Sequence, residues 1–145
     1  SAEEHRAAVR RFYDEVWNGR NVAAAEALLA NDLGFRGSLG AEHDTRDGFL
    51  GYVAEVTAAL EHFRCEIDTL VADAEGAAAR MRFSGRHTGV LMGVAPSGRV
   101  VGWSGVAFFG FRAGRIARVW VLGDLAALHA QLDGDSGSDR TGQRA

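Results

Sequence analysis

Apolar residues recur at helical spacing in the first part of the chain, with polar residues between them. The pattern predicts three helices, over residues 2–18, 22–30 and about 45–62, and a short strand over residues 33–39. Asn18-Gly19 ends the first helix, Asn21 is suited to cap the second, and Asp44 or Thr45 the third. The chain therefore begins with helices.

Beyond residue 62 the pattern changes to the alternation of apolar and polar residues that is typical of strands. Four strands are predicted, over residues 63–74, 77–87, 99–111 and 115–123, and the loop of residues 88–98 carries the only proline. Asp124 is placed to cap a final helix that ends at residue 132. Helices followed by a run of neighbouring strands indicate an α+β fold with a mostly antiparallel sheet.

Both faces of the last two strands are apolar. One parity contains Trp103, Ala107, Phe109 and Val121 among others; the opposite parity contains Val106, Phe108, Trp120 and Leu122. A sheet covered on one side only would show polar residues on its second face. The helices can cover one face, so we expect a second copy of the chain to cover the other in a homodimer. A thicker monomer core is the alternative.

Composition narrows the class of protein further. The 145 residues are 47% hydrophobic, which suits a single domain over residues 1–133, and the polar segment 134–145 is expected to be flexible. The net charge of −3 offers no basic face for nucleic acid. A single cysteine cannot form an internal disulfide and fits a cytoplasmic location. No apolar run approaches the roughly 20 residues that span a membrane, so no membrane association is expected.

Short motifs along the chain carry a family resemblance. They are FYDEVWN at 12–18, GRHTG at 85–89, MGVAPSGR at 92–99, and Gly114-Arg115-Ile116 followed by Trp120, Asp124 and Gln131-Leu132. In order and spacing, over about residues 4–132, they resemble the SnoaL-like polyketide cyclase family. The resemblance implies an NTF2-like cone, in which N-terminal helices pack on a strongly curved sheet around an internal apolar pocket. It also implies polycyclic aromatic polyketide substrates, such as anthracycline precursors, and no metal, flavin or nicotinamide cofactor.

The sequence departs from the cyclases at the positions that carry their chemistry. The resemblance places the cyclase Asp of the last strand at Val121 and the cyclase His of the preceding strand at Ala107. The Asn of the cyclases' third helix also has no counterpart, because no Asn follows Asn31. An aldol ring closure needs a base beside an acidic C–H and donors for the developing oxyanion. These residues do not supply that set.

The leading hypothesis is therefore the hydroxylase-type branch of the family. The resemblance of this chain to that branch implies that an anthracycline-type intermediate is hydroxylated by molecular oxygen without a cofactor. A partner reductase would reduce the substrate. A cyclase with a relocated base and a non-catalytic small-molecule-binding module are the alternatives.

Three residues are candidates for catalysis, each with a structural alternative. His87 can titrate near neutrality, or it can simply bond to the backbone. Asp124 can transfer protons at the pocket mouth, although a plain helix cap is favoured. Arg118 can orient a phenolate or peroxide oxygen, although an outward-facing surface position is favoured.

The substrate-binding candidates are aromatic. Trp17, Tyr52, Trp103 and Phe109 would form a stacking wall for fused rings, with ordinary core packing as the alternative. Ala107 and Val121 are expected to shape the pocket rather than react. No histidine has a second ligand at metal-binding spacing, so no metal site is expected.

Overall fold

A computed structural model describes residues 1–134. Its helices are α1 (Ala2–Arg11), α2 (Val22–Leu28), α3 (Arg46–Ala59) and α4 (Leu125–Leu132), and a π-helical turn (Phe12–Trp17) continues α1. Its strands are β1 (Leu29–Arg36), β2 (Glu42–His43), β3 (Leu60–Ala72), β4 (Gly76–His87), β5 (Val100–Arg112) and β6 (Arg115–Gly123).

Local side-chain bonds fix where the later helices begin. The Asn21, Thr45 and Asp124 side chains accept hydrogen bonds from the backbone N–H groups of residues 24, 48 and 127. Each bond satisfies one of the free N–H groups of a helical first turn. The three predicted caps are therefore confirmed, with Thr45 rather than Asp44 capping α3.

The six strands form one open, mixed sheet in the order β2-β1-β6-β5-β4-β3. All neighbouring pairs are antiparallel except β1 and β6, which run parallel. Helices and sheet together make the predicted α+β cone, with the core between the helices and the inner sheet face.

The ends of two helices differ from the sequence-based prediction. α2 ends at Leu28 instead of residue 30, because Leu29 already pairs with Ile116 of β6. α3 ends at Ala59, because Leu60 pairs with His87 of β4. Pairing with a distant strand thus overrides the local helical pattern.

The first helix also differs, since its last turn is π-helical rather than α-helical. The N–H of Asn18 donates to the carbonyl of Tyr13 at 2.9 Å, a bond that spans five residues. A π turn inserts one extra residue into a helix and often occurs at functional sites.

The outer sheet face is apolar at its centre. Its four large apolar side chains are 40–53% exposed: Val106, Phe108, Trp120 and Leu122. Phe108 pairs with Trp120 and Val106 with Leu122 on adjacent strands, so the four are contiguous. Within residues 1–134 this face is open to solvent, and a thicker monomer core does not form there.

Two further expectations concern the chain as a whole. The segment predicted to be flexible, residues 134–145, lies outside the described residues except for Gly134. No helix within residues 1–134 is long and apolar enough to cross a membrane.

Candidate functional site

A narrow cavity lies between the helices and the inner face of the sheet. Its volume is about 20 Å³, room for about one water molecule, and it is mostly closed from solvent. Its lining comes from the π turn, β1 and the following loop, α3 and strands β3 to β6. The lining residues are Phe12, Tyr13, Trp17, Phe35, Ser38, Leu39, Tyr52, Val56, Phe63, Cys65, Phe83, Trp103 and Val121.

The cavity wall is mainly aromatic, with eight of its thirteen residues carrying an aromatic ring. The ring centroids of Trp17 and Phe63 are 5.4 Å apart, and those of Phe83 and Trp103 are 5.5 Å apart. Phe63 and Phe83 lie nearly parallel, 6.3 Å apart. Such rings present flat faces on which a fused aromatic ligand can stack.

The titratable groups of the cavity, two phenols and a thiol, are weak acids that keep their protons at neutral pH. Burial holds the pKa of Tyr13 well above its usual range, and the Cys65 thiol adds to this rise. Burial also raises the pKa of Tyr52 to about 12 and the pKa of Cys65 well above its usual value. Within residues 1–134, no Asp, Glu, His or Arg lines the cavity. The site therefore offers hydrogen-bond donors but no base.

The cavity approaches the surface at the loop after β1. Ser38 and Leu39 are half-buried, whereas the other lining residues are fully buried. The indole N–H of Trp103 donates to the Ser38 hydroxyl at 3.3 Å. A Cβ at Gly123 would lie 2.9 Å from the Ser38 Cβ, so glycine permits this loop to close over the sheet.

Four of the six predicted substrate-binding residues line the cavity: Trp17, Tyr52, Trp103 and Val121. The other two do not. Phe109 packs edge-on against Phe12 and Tyr13 in the core, and Ala107 is fully buried beside Val121 on the neighbouring strand. Both share the inner face with the cavity but lie outside its lining, so the pocket is smaller than strand parity alone suggests.

None of the three predicted catalytic residues lines the cavity. Asp124 caps α4, and Arg118 is exposed on the sheet face opposite the core. His87 is completely buried at the end of β4. Its Nδ1 accepts a hydrogen bond from the Ser97 N–H at 3.2 Å and lies 3.0 Å from the Ser97 hydroxyl. In this structure Asp124 thus caps a helix, His87 contacts the loop before β5, and Arg118 is exposed, while the catalytic roles stay a prediction.

The chain is similar to known proteins over most of its length. The family model described as SnoaL-like polyketide cyclase matches residues 7–132. The chain belongs to this family. No curated protein matches the sequence at a significant level.

Solved structures of similar fold agree with the family. AclR from Streptomyces galilaeus, a putative hydroxylase, is 22% identical with a TM-score of 0.77, covering 92% of this chain and 83% of its own. TsrD from Streptomyces laurentii is 26% identical with a TM-score of 0.77, covering 88% and 96%. IdmH from Streptomyces antibioticus, a putative polyketide cyclase, is 25% identical with a TM-score of 0.75, covering 88% and 96%.

The SnoaL-like resemblance gives particular meaning to Ala107 and Val121. They stand where it would place the cyclase His and Asp, and they face each other across β5 and β6. Both are buried and apolar, and neither side chain can transfer a proton.

Several lining residues were missed from the sequence, above all Tyr13, Phe63, Cys65 and Phe83. Cys65 and Phe83 are cross-strand neighbours on β3 and β4, and their inward parity was a usable signal. Tyr13 also had a usable signal, because it lies four residues from both Val9 and Trp17 on the apolar face of the predicted first helix.

Among the described residues, no group of three or more His, Cys, Asp or Glu side chains is arranged to hold an ion.

Proposed function

We propose that this protein hydroxylates a polycyclic aromatic polyketide of anthracycline type, using molecular oxygen and a substrate that a partner reductase has reduced. The observation that carries the proposal is the cavity lining, which is aromatic and contains no base within residues 1–134. Family membership supports a polyketide substrate. The missing base argues against an aldol ring closure, which needs one at the reacting carbon.

The proposed reaction balances without a cofactor bound to this chain. A nicotinamide-dependent reductase supplies two electrons and two protons that convert the quinone to its hydroquinone. An electron-rich ring carbon of the hydroquinone forms a C–O bond with oxygen, giving a substrate hydroperoxide. Cleavage of the O–O bond with loss of water leaves a carbonyl, which tautomerises to the new phenol at the quinone oxidation level.

The residues of this chain would bind and shield the substrate during these steps. Aromatic faces such as Trp17 and Phe63 would hold the ring system, and the closed wall would keep bulk water from the hydroperoxide. Since the cavity is narrow in this form, the loop carrying Ser38 and Leu39 would move outward to admit a ligand.

The test supplies a reduced dihydroxyanthraquinone, a quinone reductase with its nicotinamide, and oxygen labelled with oxygen-18. The expected result is a product that carries one labelled oxygen atom and forms only when this protein is present. Val121→Phe, which fills the cavity, should slow product formation at least tenfold. Leu122→Phe, the neighbouring residue on the outer face, is the matched control and should not. The same product with and without the protein would refute the proposal.

The cyclase alternative requires a relocated base, for which His87 is the sequence-based candidate. Ring closure of a synthetic polyketide precursor that is abolished by His87→Ala would support that alternative. Because His87 does not line the cavity and is bonded to Ser97, we expect no such ring closure.

A further inference from the structure

The hydroxyl group of Tyr13 is buried in the cavity wall and has no hydrogen-bond partner within residues 1–134. The residue is only 2% exposed. A buried hydroxyl without a partner loses its hydrogen bonds to water and gains none in return. Such groups are rare in folded proteins, and each one calls for an explanation.

Packing holds the Tyr13 ring in one orientation. Phe12 meets it edge-on at 4.9 Å between ring centroids, and Phe109 meets it at 6.0 Å and 90°. The phenol therefore cannot easily turn elsewhere to find a partner, and its oxygen stays at the cavity wall.

Helical spacing carries Tyr13 to this position, since it lies four residues from both Val9 and Trp17 on the buried face of the first helix. The π turn begins beside it, and its hydrogen bonds span five residues instead of four. One of these bonds joins the Asn18 N–H to the Tyr13 carbonyl at 2.9 Å. Tyr13 is thereby linked through the backbone to the anchor that Asn18 provides.

Asn18 anchors the π turn to strand β3 through a pair of hydrogen bonds. Its Nδ2 donates to the Cys65 carbonyl at 2.9 Å, and its Oδ1 accepts from the Cys65 N–H at 2.8 Å. Cys65 lines the same cavity. Asn18 therefore ties the helical segment that carries Tyr13 to the strand that carries Cys65.

The chemistry of the cavity indicates which ligand atom would meet the Tyr13 hydroxyl. Tyr13, Tyr52 and Cys65 all remain protonated at neutral pH, and no charged side chain of residues 1–134 lines the cavity. A charged ligand group would have no counter-ion there. A neutral oxygen acceptor on an aromatic framework, such as a quinone carbonyl, would gain a hydrogen bond.

We propose that Tyr13 is a ligand-binding residue that donates a hydrogen bond to a carbonyl oxygen of the bound polycycle, and that Asn18 is the positioning residue that aims it. The inference takes its ligand class from the proposed function. It concerns recognition alone and requires neither oxygen nor a reductase.

The test compares two soluble probes with the same three-ring framework and the same solubilising group. Anthraquinone-2-sulfonate carries the carbonyl oxygens, and anthracene-2-sulfonate lacks them. Binding is followed by the quenching of Trp17 and Trp103, which line the cavity. Tyr13→Phe should weaken binding of the quinone about fivefold to tenfold, the effect of one neutral hydrogen bond, and leave anthracene binding unchanged.

Two further readouts separate recognition from a purely structural role. Tyr13→Phe removes the unpartnered hydroxyl, so the Tm of the unliganded variant should rise by a few degrees although it binds the quinone less well. Asn18→Ala should lower the ratio of quinone to anthracene affinity while anthracene still binds, since the ring wall remains.

The inference would be overturned if Tyr13→Phe lost affinity for both probes equally, or if its quinone affinity were unchanged. It would also be overturned if neither probe bound the native chain. Probe selectivity that depends on Tyr13, without any oxygen transfer in the labelled-oxygen experiment, would refute the proposed hydroxylation and leave this inference standing.

Discussion

Asp124 lies next to the last strand, where a carboxylate invites a catalytic interpretation. Its Oδ1 accepts a hydrogen bond from the Ala127 N–H at 3.1 Å, and its own N–H donates to the Ser104 carbonyl at 2.8 Å. The carboxylate is also favourably placed at the positive end of the α4 dipole. These contacts account for an acidic residue at this position without any role in proton transfer.

A cap and a proton donor respond differently to amide substitution. Asp124→Ala should lower the free energy of unfolding by about 1 kcal/mol, because one N–H of α4 loses its partner. Asp124→Asn should stay close to the native value, since its side-chain oxygen still accepts the bond. Urea unfolding of the three proteins measures both effects. Native stability but lost turnover in Asp124→Asn would instead show a catalytic carboxylate.

The buried phenols predict how stability depends on alkaline pH. Burial raises the pKa of Tyr52 from an ordinary 10.0 to about 12, so the unfolded chain loses this proton first as pH rises. The stabilisation is complete below pH 10 and is lost between pH 10 and about pH 12, by about 3 kcal/mol. Urea unfolding across this range measures the loss.

Tyr52→Phe is the control for that measurement, because it removes the titrating group and should flatten the pH dependence. The background is favourable, since all sixteen basic residues are arginine and no lysine titrates in this window. Tyr13 and Cys65 act in the same direction as Tyr52, so some slope should remain. An unchanged slope in Tyr52→Phe would contradict the assignment.

At the scale of single residues, the sequence predicted those whose signal is local. The caps Asn21 and Asp124 follow from residue type beside an apolar period, and Trp103 and Val121 follow from strand parity. Tyr13 could have been found from spacing, because it lies four residues from both Val9 and Trp17 on the buried face of the first helix. The π turn beside it could not, because the bonds of Asn18 to the distant strand β3 leave no local pattern.

At the scale of elements, type was predictable and boundaries were not. The helices and the four long strands were all foreseen, whereas the two-residue strand β2 was missed. The ends of α2 and α3 moved because Leu29 and Leu60 find partners in β6 and β4. Contacts over such sequence distances leave no periodic trace in the chain.

Two glycines, one in α3 and one in β4, should respond in opposite ways to an added Cβ. Gly51 is exposed in the interior of α3 with nothing within 4 Å of a Cβ, so Gly51→Ala should stabilise the protein by about 0.5–1 kcal/mol. At Gly85 of β4, a Cβ would lie 2.9 Å from the Leu60 Cβ, so Gly85→Ala should destabilise it by about 1–3 kcal/mol. Thermal unfolding shows whether each variant is stabilised or destabilised. Equal changes in stability would show that backbone propensity rather than packing determines the effect of an added Cβ.

At the scale of the whole molecule, the homodimer through the outer sheet face stays a prediction of the sequence. Its four contiguous apolar side chains, centred on the Phe108 and Trp120 rings 6.1 Å apart, would be covered in an isologous homodimer. The face is self-complementary in chemistry, since each copy offers the other the same apolar strip.

Placing a charge on that apolar face tests the prediction of a homodimer. Phe108→Arg places a charge at its centre on both copies and should convert a dimer to a folded monomer in analytical ultracentrifugation. Val90→Arg, at an exposed apolar residue of the β4–β5 loop, is the control and should remain dimeric. A native chain that sediments as a monomer at all concentrations would rule the dimer out.

The pair of bonds between Asn18 and Cys65 has a consequence for solubility. β3 is an outermost strand of the sheet, and the free backbone groups of such a strand can recruit a strand from another molecule. At Cys65 the amide of Asn18 already occupies both groups, as a neighbouring strand would. The Asn18 side chain thus also blocks a position at which a strand of another molecule could pair with β3 and begin a fibril.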